Sequence, residues 1–80
     1  MQKSHNRKKT FVRKQFGKAV REKRQELGWT QEKLAEKADL HPTYIGSVER
    51  GERNIALENI VALAEALQCL PRDLMPENIE

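Results

Sequence analysis

Apolar residues recur at helical spacing along most of this chain, and the only strand-like alternation sits inside a better helical pattern. Between Phe11 and Leu27 the positions Phe16, Ala19, Val20 and Leu27 share one face, with Lys and Glu elsewhere, which predicts an amphipathic helix. Gly28 supplies its stop. Thr30 can then cap a helix over residues 31–38 that buries Leu34, Ala35 and Ala38, with Trp29 able to pack on Leu34 as a hydrophobic staple. Asp39, Leu40 and His41 form a tight connection, because Pro42 is preset for a first helical position and disfavours helical geometry just before it. A third helix follows over 42–50, with Ile45 and Val48 inward and Gly51 as its stop. At about 100° per residue, Thr43, Gly46, Ser47 and Arg50 fall on the opposite face and Tyr44 on its flank. After a polar loop, Leu57, Ile60, Val61, Ala64 and Leu67 mark a fourth helix, and Pro71 opens a short fifth containing Leu74, ended by Pro76.

The prediction is an all-α, compact five-helix domain over residues 11–76, preceded by a flexible basic arm over 1–10 and followed by a tail over 77–80. Its expected core is Phe16, Val20, Leu27, Leu34, Ala35, Leu40, Ile45, Val48, Leu57, Ile60, Val61, Ala64, Leu67 and Leu74. Eighty residues bury only a modest core, so a dimer contact would add needed stability. Leu63, Leu70, Met75 and Ile79 lie outside the apolar stripe and are the candidates for that contact; burial under the fifth helix accounts equally well for Leu70 or Met75.

Charge changes the picture once it is divided along the chain. The formal net charge is only +3, but the first 14 residues hold six Lys or Arg and no acid, leaving nine basic against twelve acidic residues in the remainder. A basic arm on a mildly acidic body suits a polyanionic partner, and equally a solvated tail. The lone Cys69 can form no internal disulfide and no zinc site, and no apolar run reaches the roughly 20 residues of a membrane span. These features lead us to expect a cytoplasmic protein without metal or cofactor. Enzyme readings fail on inventory: His5 and His41 are far apart, and no Gly-rich phosphate loop is present.

Two short helices joined by a three-residue turn, the second opening with small polar residues, make the geometry that inserts a helix into the DNA major groove. Thr43 and Ser47, one turn apart, can bond bases or phosphates, and Gly46 between them allows close approach by DNA or by a packed neighbour. Tyr44 can reach a phosphate or a thymine methyl, or simply cover the core; Pro42 offers only apolar contact. Arg50, Arg53 and Asn54 follow the helix and could clamp phosphates, with Lys8, Lys9, Arg13 and Lys14 adding donors from the arm and the first helix. The arm could run along phosphates or enter the minor groove.

The stretch Leu27-Gly28-Trp29-Thr30-Gln31-Glu32-Lys33-Leu34-Ala35 followed by Tyr44-Ile45-Gly46-Ser47-Val48-Glu49-Arg50-Gly51 resembles the phage Cro and repressor family of helix-turn-helix regulators. The likeness continues through Arg53-Asn54 and Ala64-Glu65-Ala66-Leu67 and covers about residues 14–75. The Thr43-Tyr44-Ile45-Gly46 run and Glu49-Arg50 to Asn54 are also similar to the controller proteins of restriction-modification systems. The resemblance implies a lambda-repressor-like domain that binds double-stranded DNA at a palindromic operator as a homodimer and regulates transcription. It implies a phosphate anchor at Gln31 and a structural ion pair between Arg24 and Glu49; Glu32 and Glu36 share the exposed face of the second helix, where related activators present acids to an RNA polymerase sigma subunit, although solvated helix charge is the commoner meaning of such residues. No small-molecule ligand is implied. Antitoxin or coactivator modules that use the same fold for protein contacts are the alternative. Three positions depart from the family pattern: Asp39 where glycine commonly turns, Lys23 at an apolar position, and Ala56 where a cap is expected.

Overall fold

The computed structural model describes the backbone of residues 2–77 and the side chains of residues 9–77. It contains α1 (Gln2–Glu26), α2 (Gln31–Ala38), α3 (Pro42–Glu49), α4 (Leu57–Ala66) and a single 3-10 turn at Pro71–Leu74, with no strand among the described residues. The expected fifth helix is therefore only this turn. Pro71 opens it, the Asp73 carboxylate accepts the Leu70 N–H at 2.9 Å, and Pro76 leaves no room to propagate.

The expected arm is also corrected, because α1 begins at Gln2 and not near Phe11. No glycine or proline interrupts residues 2–16, and Lys, Arg and Gln are good helix formers, so a helix nucleated by packing around Phe16 and Val20 extends backwards at little cost per residue. At 1.5 Å per residue its 25 residues span about 37 Å. That length sets the long dimension of a molecule measuring 40 × 22 × 21 Å.

Local chemistry fixes the other boundaries. The Thr30 hydroxyl accepts the Lys33 N–H at 3.1 Å, and Asp39 closes α2 in the left-handed region at φ 57°, where a glycine would be unstrained. His41 caps α3, its Nδ1 accepting the Thr43 N–H at 3.1 Å. Ala56 gives α4 no side-chain cap.

The core gathers Phe16 and Val20 from α1, Leu34, Ala35 and Ala38 from α2, Ile45 and Val48 from α3, and Leu63 and Ala64 from α4, closed by Leu67 and Leu74. Leu40 and Ile60 pack against it, partly buried. Leu27, Leu57 and Val61, expected inside, are exposed, with Leu57 73% accessible, whereas Leu63, expected on a dimer surface, is fully buried. Helix α4 is apolar around most of its circumference, so the stripe 57/60/61/64 and the stripe 60/63/64/67 satisfy the same spacing. Docking against α2 and the 3-10 turn selects the second.

One close approach sets the relation of α1 to α3. A Cβ built on Gly17 would stand 2.2 Å from the Val48 carbonyl oxygen and 2.7 Å from that of Glu49. Only a residue without a side chain lets the two backbones meet there.

Candidate nucleic-acid interface

Helix α3 presents less to solvent than a helical wheel suggests. Thr43 and Arg50 are exposed, Pro42 and Tyr44 are half-buried, and Gly46 and Ser47 are buried. The expectation of an exposed face running through Gly46 and Ser47 is thus corrected, and neighbours on either side are the reason. On one side, a Cβ at Gly46 would lie 3.2 Å from Arg50 Nη1 and 3.5 Å from Gln31 Oε1, so the glycine makes room for these two side chains. On the other, Ser47 Oγ donates to the Tyr44 carbonyl oxygen at 2.7 Å and accepts from Arg53 Nε at 2.9 Å. Its hydroxyl proton and one lone pair are thus engaged inside the protein. Tyr44 packs against the core, accepts a hydrogen bond at its hydroxyl from Asn59 Nδ2 at 3.1 Å, and carries the Arg53 guanidinium over its ring at 5.3 Å.

A charged joint holds α3 in place. Arg24 Nε donates to Glu49 Oε2 at 2.7 Å and Arg24 Nη2 to Glu49 Oε1 at 3.0 Å, while Nη1 donates to the Trp29 carbonyl oxygen at 2.8 Å. The fork is bidentate and shielded, with the side chains of Arg24 and Glu49 only 11% and 4% accessible. Hydrogen bonding to Glu49 pushes the Arg24 pKa above its ordinary value, so the guanidinium stays charged. Glu49 Oε1 also accepts from Gln31 Nε2 at 3.0 Å, which fixes the first side chain of α2 beside Gly46. Gln31 keeps its second amide hydrogen for another acceptor.

Basic residues collect around the turn that follows α3. Gly51 takes φ +77° and lies so close to α1 that an added Cβ would be 2.9 Å from Lys14 Cα. Arg13, Arg53 and Asn54 line one small cavity of about 130 Å³ between α1 and this turn. Arg50 is exposed and paired with Glu52, Nε to Oε2 at 3.0 Å and Nη2 to Oε1 at 3.2 Å; that contact holds the Glu52 carboxyl below its ordinary pKa. Lys9 lies exposed on α1, whereas the side chain of Lys8 is outside the described residues. The structure therefore brings Gln31, Gly46, Arg50, Arg53, Asn54, Arg13 and Lys14 around one end of α3. His41, expected to flank the turn or a phosphate, caps the other end of α3; Gly17, which packs beneath Val48 and Glu49, is a site the sequence does not single out, because the close packing of α1 on α3 is not encoded in any local motif.

Of the remaining positions, Leu70 and Met75 are exposed and Ile79 lies outside the described residues. Burial pushes the Cys69 thiol pKa up, which disfavours the reactive thiolate. No helix among the described residues is long and apolar enough to cross a membrane.

The helix-turn-helix family model matches residues 20–74, which include the whole of α2, α3 and α4. The chain belongs to the helix-turn-helix family. Within that family it is a DNA-binding transcription regulator of the Cro/repressor type. It is 46% identical over 65 residues to control protein C.BamHI of Bacillus amyloliquefaciens, covering 80% of each chain. The crystal structure of restriction-modification controller protein C.AhdI from Aeromonas hydrophila superposes with a TM-score of 0.76 at 47% identity, over 78% of this chain and 94% of that one. The P22 c2 repressor, solved in complex with a synthetic operator, gives a TM-score of 0.73 at 32% identity, over 79% of this chain and 96% of the repressor. The repressor-like helical architecture expected from the sequence is the architecture found.

Proposed function

We propose that this helix-turn-helix regulator is a restriction-controller type protein that acts in the cytoplasm and binds a palindromic operator as a homodimer. The observation that carries the reading is the convergence at α3: exposed Thr43 on the helix, Gln31 and Arg50 bracketing Gly46, and Arg53 fixed beside Ser47. Thr43 and the edge of Tyr44 supply contacts to base edges, with Pro42 adding apolar contact at the helix start. Gln31, Arg50, Arg53, Asn54, Arg13 and Lys14 supply phosphate contacts that fix orientation without reading sequence, and Lys8 and Lys9 extend them along α1. The similarity to C.AhdI, of which this chain covers 94%, supports the controller assignment.

A single copy offers few base-reading side chains, so discrimination requires two. The dimer surface is drawn from the apolar side chains left exposed: Leu57 and Val61 on α4, with Leu70 and Met75 beyond it. Glu32 and Glu36 stand exposed on α2, where they can meet a polymerase sigma subunit when the operator lies beside a promoter. Selection from a pool of randomised DNA duplexes tests the whole reading. The expected product is an inverted repeat with half-sites about 34 Å apart, one helical turn or a small multiple of it. Failure to enrich any sequence, together with stoichiometric capture of a protein partner, would contradict it in favour of a protein-interaction module.

A further inference from the structure

Ser47 occupies a position where a small hydroxyl residue suggests base reading, yet it is buried, and it both donates and accepts a hydrogen bond inside the protein. Its hydroxyl proton goes to the Tyr44 carbonyl oxygen, and this leaves a lone pair aimed at Arg53 Nε. Arg53 is an exposed residue in a polar turn, where a long side chain would ordinarily sample many rotamers. Here it is held at two points, by Ser47 at Nε and by the Tyr44 ring under its guanidinium. Tyr44 is itself held by the Asn59 amide at its hydroxyl, which links the assembly to α4. Nothing in the positive charge alone calls for this arrangement, since a flexible arginine screens phosphate adequately.

We infer that Ser47 and Tyr44 are positioning residues for Arg53, which they hold as a preformed planar donor to DNA. With Nε occupied and the guanidinium resting over the Tyr44 ring, Arg53 keeps its two terminal nitrogens. These form a fork that matches a pair of in-plane acceptors, either guanine O6 and N7 or two phosphate oxygens. Ordering the side chain before binding removes an entropy cost that binding would otherwise bear. A donor outside the recognition helix is then positioned by residues inside it: on phosphate it fixes the docking register, and on guanine it adds sequence reading. The inference presupposes the DNA-binding reading above.

A double-mutant cycle on the duplex selected by the unaltered protein tests it. Ser47→Ala is expected to weaken binding about threefold to tenfold when Arg53 is present and by less than about twofold when Arg53→Ala is already in place. Tyr44→Leu, which keeps apolar cover but removes the ring face, serves if Ser47→Ala folds poorly: it should cost more with Arg53 present than with Arg53→Ala already in place, the loss that remains in the second background being the contact of Tyr44 itself. Equal losses with and without Arg53, or no loss in either background, would overturn the inference. The acceptor is read from Arg53→Ala alone. A salt slope smaller by about one unit identifies phosphate, while an unchanged slope with relaxed preference at one base pair identifies guanine. Binding of the unaltered protein to no particular duplex would instead defeat the DNA reading itself, a different result from an uncoupled cycle.

Discussion

The Glu49 carboxylate joins three elements: it belongs to α3, accepts two bonds from Arg24 on α1, and accepts a third from Gln31 on α2. Replacing it would strand a shielded guanidinium and free the side chain that sits beside Gly46. Glu49→Ala is therefore expected to destabilise the fold by about 3 kcal/mol, the usual scale for breaking a buried pair, and to weaken DNA binding as well. Thermal denaturation checks the first effect; a melting temperature within a degree of the unaltered protein would contradict it. Gly17 poses a sharper contest, because alanine is the better helix former by about 1 kcal/mol and yet its Cβ would meet the Val48 carbonyl oxygen at 2.2 Å. Backbone against backbone leaves nothing to yield, so Gly17→Ala should lower the melting temperature despite its propensity. On the exposed surface, Glu52 engages the Arg50 guanidinium through two hydrogen bonds. Glu52→Gln should free the arginine and remove a charge that repels phosphate, tightening DNA binding a few-fold at low salt in an anisotropy titration.

At the scale of elements, α2 was fully legible because its ends are written in local chemistry: Thr30 takes the Lys33 amide, and Asp39 ahead of Pro42 ends the helix. The rotation of α4 was not legible. Its apolar residues cover more than one face, and which of them turns inward depends on α2 and the 3-10 turn, which lie elsewhere in the sequence. The burial of Ser47 was not legible for the same reason: the wheel places it away from Ile45, but Arg53 folds back over it from the following turn. The N-terminal extent of α1 was not legible because residues 2–10 contain no apolar side chain, so hydrophobic periodicity carries no signal there. That extension leads to a further expectation. Removing residues 1–9 deletes Lys3, Arg7, Lys8 and Lys9 and leaves the core described among residues 9–77 intact, so the melting temperature should stay nearly constant. DNA affinity should fall similarly on all sequences, with a flatter dependence on salt, as measured by titrations at several salt concentrations. An unchanged slope would mean that the extension does not contact phosphate.

Considered as a whole, the molecule carries a basic cluster around α3 and its following turn, and exposed apolar side chains at Leu57 and Val61 on α4 and at Leu70 beyond it, while Met75 lines the same small cavity as Arg13, Arg53 and Asn54. The basic cluster is proposed to meet DNA and the exposed apolar side chains another copy. These distinct sets of residues make the two functions separable by mutation. Val61→Glu together with Leu57→Glu should abolish self-association in sedimentation while leaving the monomer folded, because both side chains are already exposed; Leu63→Glu, at a fully buried position, should unfold it. The central claim, two copies reading two half-sites, is tested most directly by titrating the selected duplex against the same duplex with one half-site scrambled. Two protomers on the intact site and a loss of about a hundredfold or more in affinity on the scrambled one are predicted. Equal affinity for both, with one protomer bound to each, would contradict it.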